Sequence, residues 1–196
     1  MEAVSAPELI LASGSRYRRQ QLERLGLHCR SQAPDIDESR LPGEAPAAMA
    51  RRLAVLKAGV VAAQAPGSIV IGADQVAACD SRVLGKPGSA ATQSAQLLSC
   101  SGRELHFHTA LAVIEPSGAI HEHMDLTVCQ LRELTAAEVE RYVAAEPAYD
   151  CAGGFKVEGL GITLFERITS EDPSALIGLP LLALCRILRH LGVAKV

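Results

Sequence analysis

The run Ser68-Ile-Val-Ile-Gly-Ala-Asp-Gln-Val-Ala-Ala-Cys79 limits the fold more than any other stretch of the chain. Ser-Ile-Val-Ile reads as a buried strand, and Val-Ala-Ala-Cys continues it in the same apolar register. Asp74 stands in the middle. A carboxylate in a buried strand is costly unless it is paired, hydrogen-bonded or bound to a metal. Such positions are typical of catalytic carboxylates, because ligands bind beyond strand ends in open α/β sheets. A structural Asp paired with a buried Lys or Arg is the other reading.

Around this strand, apolar runs alternate with helical patterns. "ELILAS" (8–13) reads as a short strand, and "GSRYRRQQLERLGL" as a helix capped by Ser15 and ended by Gly26. "HCRSQAP" reads as a second strand, and "DIDESRLPGEAP" as a polar loop rich in carboxylates and proline. From Ala47 to Gln64 the pattern is helical, with Leu53, Leu56, Val60 and Val61 on one face. A helix follows over roughly 89–100. "RELHFHTALAVIE" and "AIHEHMDLTVCQL" form a hairpin about "PSG". Thr135-x-x-Glu138 opens a helix to Ala145 with a capping box, and Leu179 to Leu191 is the last helix, with Gly192 beyond its end. The fold class is α/β, with a mixed sheet in one structural unit over 1–196. No internal repeat or low-complexity tract interrupts it.

Gross properties exclude several functions. A net charge of -3 argues against bulk binding to nucleic acid, which usually needs a basic face. Three Tyr, three Phe and no Trp leave few platforms for stacked single-stranded bases. The longest apolar stretch, "SALIGLPLLALC", falls short of the roughly 20 residues that span a bilayer, and no secretory leader opens the chain. The six cysteines are scattered without a Cys-x-x-Cys pair and read as buried free thiols, which fits a reducing cytoplasm.

Four groups of residues carry chemistry. In "LASGSRYRR" a strand runs through Ser13, Gly14 and Ser15 into a helix start, where backbone N–H groups and the positive dipole end attract anions. Arg16, Arg18 and Arg19 in that first turn oppose the dipole, which makes sense if a polyanion sits over the helix end; a solvated basic face is the plainer reading. Asp74 is the second candidate. The lysines form the third: Lys57 lies among Ala, Leu and Val of a helix, and Lys86 is held between glycine and proline in "LGKP". Glu38, in "DIDE", is a hard oxygen donor suited to Mg²⁺, or else part of a solvated acidic loop. His106-x-His108 and His121-x-His123 suggest a metal, but hairpin pairing sets them about seven residues apart, on the order of 20 Å, so they do not share one ion.

Together these pieces resemble the Maf-like nucleotide pyrophosphatases. The resemblance covers nearly the whole chain, through "LILASGSRYRRQQLERLGL", "DIDE", "RRLAVLK", "IGADQV", "LGKP", "LSCSGRELHFHT", "CAGGFKVEGLGITLFERI" and "DPSALIGLPL". It implies a Maf/ITPase-like sheet flanked by helices, with a nucleotide cleft between two lobes. It further implies a metal-dependent cut between the α and β phosphates of a nucleoside triphosphate. On the matching positions it implies Asp74 as proton acceptor and metal ligand, and Glu38 as a second metal ligand. Ser13, Arg18, Lys57 and Lys86 are the implied triphosphate contacts. Tyr17, Gln75 and Glu158 are the implied determinants of the base. The pattern "GxDQV" with "FKxEGxG" is similar to the branch associated with 7-methyl-GTP; the dTTP and UTP branch tends to have Thr after the Asp and Gln at the place of Glu158. The implied cofactor is a divalent cation, Mg²⁺ or Mn²⁺; the implied partner is a small nucleotide, and a homodimer is implied as well. Arg16 departs from the family, which usually has Pro there. A nucleotide-binding regulator of cell division without turnover is the alternative from another class, although a pure binder would not need the carboxylate at 74.

Overall fold

The computed structural model describes residues 7–193; Lys195 lies outside them. Its centre is one long strand with a divided edge. The chain runs through β1 (Leu9–Leu11), α1 (Arg16–Arg24), β2 (Arg30–Ser31), α2 (Pro46–Gln64) and β3 (Ile69–Cys79). It continues with β4 (Arg82–Leu84), α3 (Ala90–Ser99), β5 (Glu104–Ile114), β6 (Ile120–Leu131) and α4 (Ala136–Ala145). It ends with a 3₁₀ turn (Leu160–Leu164), β7 (Phe165–Thr169), a second 3₁₀ turn (Ala175–Ile177) and α5 (Leu181–His190). The sheet order is β2-β1-β3-β5-β6-β7, with β4 also on β3. The expected mixed sheet flanked by helices is therefore what forms.

One edge of β3 pairs with β5 along almost its whole length, from Val70 opposite Ile114 to Cys79 opposite Leu105. The other edge is shared. Ile69, Ile71 and Val70 between them pair in parallel with β1, whereas Ala77 to Cys79 pair antiparallel with β4. Between these two partners, residues 72–76 have no strand neighbour on that side. The sheet opens there, at the place where its connectivity reverses, and ligand sites of open α/β sheets form at such points.

Two lobes follow from this division. Around the first half of β3, Ile69, Ile71 and Ala73 face Leu22 of α1 and Ala183, Leu184 and Leu188 of α5. On the opposite face, Val70 and Val76 meet Ala54, Ala58 and Val61 of α2. Around the second half, Ala77 and Cys79 pack with Leu97, Phe107, Val139 and Phe155. The alternation is that of a strand buried on both faces.

Side-chain caps open three of the five α-helices, those at Ser15 and Thr135 as expected. Ser15 accepts a hydrogen bond from the Arg18 N–H, Ser89 from the Thr92 N–H, and Thr135 with Glu138 forms the complete capping box. The hairpin register sets His106 opposite Val128 and His121 opposite Val113, as expected.

Several details differ. The "HCRSQAP" strand shrinks to two exposed residues. Pro180 is the N-cap of α5 rather than part of its first turn. β4, β7 and the 3₁₀ turns are additional to the sequence reading; each is five residues or fewer, too short to show a period. The buried stripe of α2 is Ala50, Leu53, Ala54, Lys57, Ala58 and Val61, and Leu56, expected inside, is 40% exposed. Three of these six are alanine, so the stripe does not follow the bulky residues alone. All six cysteines are free, but only Cys79, Cys100 and Cys129 are buried; Cys29, Cys151 and Cys185 are partly exposed. No described helix is long and apolar enough to cross a membrane.

Candidate active site

Gly72 determines how near α2 comes. A Cβ added there would stand 2.7 Å from the Ala58 Cβ and closer still to the Ala54 carbonyl oxygen. The glycine therefore admits helix backbone to the sheet. Two residues along β3, Asp74 points to the same face. Lys57 lies within the buried stripe of α2, where an apolar residue would ordinarily sit. Its ammonium meets Asp74 Oδ1 at 2.6 Å, and each residue is only 6% exposed. Asp74 Oδ2 has no hydrogen-bond partner among the described residues.

A third charge joins this pair from the loop before α2. Glu38 Oε1 lies 2.9 Å from the same Lys57 ammonium. The loop is tied to α2 by Arg52, whose guanidinium holds Glu44 at 2.6 and 2.9 Å and also donates to the Ser39 carbonyl. Asp37 caps the turn by accepting from the Ser39 N–H. Two carboxylates thus converge on one cation. Mg²⁺ characteristically takes one or two protein carboxylates and completes its shell with phosphate oxygens and water. The oxygen donors of Asp74 and Glu38 fit that requirement, while no cluster of three or more His, Cys, Asp or Glu suited to a metal occurs among the described residues.

Across the cavity, β1 delivers the strand-to-helix turn. Ser13 is buried, and its hydroxyl accepts from the Ser15 N–H and from Arg18 Nη1. Arg18 Nε donates to the Gly178 carbonyl at 3.0 Å, so the guanidinium is braced on two sides. Burial lowers the Arg18 pKa from its ordinary value, against the opposing pull of Asp74 and Glu38. Gly178, at φ 136°, lies directly beneath the Arg18 side chain. Asp172 positions this region. It is buried, and its carboxylate accepts from the Ser174 N–H and the Leu182 N–H, fastening the loop to the start of α5.

Gln75 points to the opposite face from Asp74. Its amide donates to Thr109 Oγ1 and to the Ala175 and Leu176 carbonyls, which joins β3 and β5 to the 3₁₀ turn that precedes Gly178. Lys86, after β4, is exposed at the other end of the opening. Glu158 lies on a loop braced by Glu146, which accepts from the Leu160 and Gly161 N–H groups. Buried Gln93 holds the neighbouring segment, donating to the Gly154 carbonyl and accepting from the Ala148 N–H.

Nine residues singled out from sequence line one cavity of about 880 Å³: Ser13, Tyr17, Arg18, Glu38, Lys57, Asp74, Gln75, Lys86 and Glu158; Arg16 lines it as well, whereas Arg19 does not. Sequence reasoning missed Asp150, Cys151 and the apolar wall of Phe107 and Phe155, which line the same space. Asp150 had no readable signal, because its "AYDCAGG" context resembles any surface turn. The phenyl rings of Phe107 and Phe155 meet edge to face at 5.4 Å, a pairing that only the tertiary fold creates.

A split parallel–antiparallel sheet, a helix N-terminus, braced arginine and lysine cations, and two converging carboxylates meet in one cavity of an α/β protein, an arrangement whose chemistry suits a polyanion beside acidic oxygens. The family model described as Maf-like protein matches residues 8–191, and the chain belongs to that family. A protein of Xanthomonas oryzae pv. oryzae (strain MAFF 311018) named 7-methyl-GTP pyrophosphatase is 57% identical over 186 residues, 95% of this chain and 97% of that one. One from Bordetella avium (strain 197N) with the same name is 54% identical over 188 residues, 95% and 94% of the two chains. Among solved structures, a HAM1 protein from Coxiella burnetii superposes with a TM-score of 0.55 at 20% identity, over 95% of this chain and 99% of that one, a likeness of fold.

Proposed function

We propose that the cavity hydrolyses 7-methyl-GTP between its α and β phosphates, releasing 7-methyl-GMP and pyrophosphate. The buried Lys57–Asp74 pair at the gap in the sheet edge carries this reading, in a chain more than half identical to proteins bearing that name. Arg18, Lys57, Lys86 and the Ser13 turn neutralise the triphosphate and hold it in line. Phosphoryl transfer depends mainly on such positioning and charge stabilisation. Water adds to the α phosphorus as the bridge to the β phosphate breaks, and Asp74 takes the water's proton. A divalent cation, Mg²⁺ or Mn²⁺, held by Asp74 and Glu38 would supply further neutralisation of phosphate charge and acidify the attacking water. Tyr17, Gln75 and Glu158 select the base, Glu158 by accepting from the guanine N1–H and amino group.

The reading implies a small-molecule partner and a cytoplasmic setting, with no role for nucleic acid or a membrane; the acidic balance of the chain supports this. A homodimer rests on the family resemblance. The test is pyrophosphate release from 7-methyl-GTP, GTP, dTTP and UTP with Mg²⁺, and again with a chelator. Preferential, metal-dependent release from 7-methyl-GTP is expected. Equal or faster turnover of dTTP would overturn the choice of base, and no turnover of any nucleotide would overturn the enzymatic reading.

A further inference from the structure

At the mouth of the cavity, four side chains from opposite lobes are joined. Arg16 Nη2 donates to the Tyr17 hydroxyl at 2.7 Å and lies 3.3 Å from Asp150 Oδ2. The Tyr17 hydroxyl in turn donates to Asp150 at 3.3 Å, and the Cys151 thiol donates to the Tyr17 oxygen at 3.5 Å. The Arg16 guanidinium carbon sits 4.8 Å from the Tyr17 ring centroid, inside the range of about 6 Å at which a cation is attracted by an aromatic face. Tyr17 is therefore already stacked with a cation, and the same cation already faces a carboxylate.

An aromatic face beside a carboxylate recognises planar, delocalised positive charge. Guanidinium has that character, and so does a purine ring methylated at N7. Resting on the substrate proposed above, we infer that Tyr17 and Asp150 form the subsite for the charged ring, that Asp150 is a specificity-determining residue, and that Arg16 occupies this subsite as an internal competitor. The Arg16 and Asp150 side chains are 56% and 52% exposed, and so open an ion pair is weakly held and readily exchanged. The charged ring displaces Arg16 and keeps Asp150 paired, whereas an uncharged guanine has no charge to offer Asp150 and binds with Arg16 left in place. Asp150 is fixed for this task from below, since its segment is tied to α3 through the buried Gln93. Glu158 keeps the separate task of meeting the base edge.

The test is equilibrium binding of 7-methyl-GMP and of GMP, which differ by the ring charge, to the wild type, Arg16→Gln, Asp150→Asn and the double variant. The wild type is expected to prefer 7-methyl-GMP. Arg16→Gln, with the competitor's charge removed, should raise that preference about twofold to fivefold, the span of an exposed aromatic–cation contact. Asp150→Asn should reduce the preference, and the double variant should lose the gain made by Arg16→Gln. If the wild type prefers 7-methyl-GMP but Arg16→Gln leaves the ratio unchanged or lowers it, Arg16 is no competitor and the inference is overturned. It is likewise overturned if the double variant keeps the full gain, since Asp150 then contributes nothing. A wild type without any preference for 7-methyl-GMP, together with release of pyrophosphate from dTTP alone, overturns both the substrate and the subsite.

Discussion

The Lys57 ammonium lies 2.6 Å from Asp74 Oδ1, with both residues more than nine-tenths buried, because Gly72 lets α2 rest directly on β3. Packing and chemistry meet in this contact. A carboxylate in an apolar strand is stable only with a partner, and the partner is delivered by a helix whose buried face is built mainly from alanine.

Gly72→Ala should therefore damage the site from a distance. The added methyl group has no room against the Ala54 carbonyl and the Ala58 backbone, and overpacking of this kind costs about 1–3 kcal/mol. Thermal unfolding should fall by roughly 2–12 °C for a chain of this size. Turnover should fall further than stability explains, because Lys57 moves with α2. A normal melting temperature and rate would show that the helix has slack over this glycine.

Removing Lys57 leaves Asp74 buried without its cation. Breaking one side of a buried pair costs about 3–5 kcal/mol, and the opening of the cavity beside Asp74 favours the lower end. Lys57→Ala should thus both destabilise the fold and weaken triphosphate binding. Arg18→Ala should mainly weaken binding, and Arg18→Lys should not restore it, because a lysine cannot reach Gly178 and Ser13 while presenting a second donor face. Unchanged kinetics in all of these variants would remove the phosphates from this side of the cavity.

Strong acid should loosen the Glu38 loop by protonating Glu44. The hydrogen-bonded Arg52 guanidinium holds the Glu44 carboxyl at about 2. A depressed pKa stabilises the folded state above the unfolded value of about 4.3, and that contribution is lost as the pH falls through the folded value. The melting temperature of Glu44→Gln should lie below that of the wild type at neutral pH, and the two should converge between about pH 4 and pH 2. A difference that persists unchanged at pH 2 would mean that Glu44 acts by packing rather than charge.

Much of this arrangement was legible in the sequence because it is local. Caps at Ser15 and Thr135, the hairpin around Gly118, and a carboxylate inside an apolar strand are features that neighbouring residues reveal. Lys57 was legible only as a charge among the Ala, Leu and Val of a helix; its place in the buried stripe was not, since the face read from sequence held Leu56 instead. The purpose of Gly72 was not, since its reason lies in Ala54 and Ala58 on another element. Asp150 is ordinary in context and lies far from Arg16 in sequence, so only the folded cleft pairs them. β7 and the 3₁₀ turns depend on the sheet edge and on the Glu146 anchor, which no short window contains.

The central claim is that Asp74 accepts the proton of the attacking water, and Asp74→Asn tests it most directly. Asparagine keeps the shape and can still accept from Lys57, but it cannot take up that proton. Turnover of 7-methyl-GTP by this variant should fall by at least about a hundredfold, the low end for loss of a general base, while its affinity for 7-methyl-GMP, measured by equilibrium binding, stays within a few-fold of the wild type. Hydrolysis by Asp74→Asn at near wild-type rate, with binding intact, would contradict the account and leave Asp74 as a structural partner of Lys57.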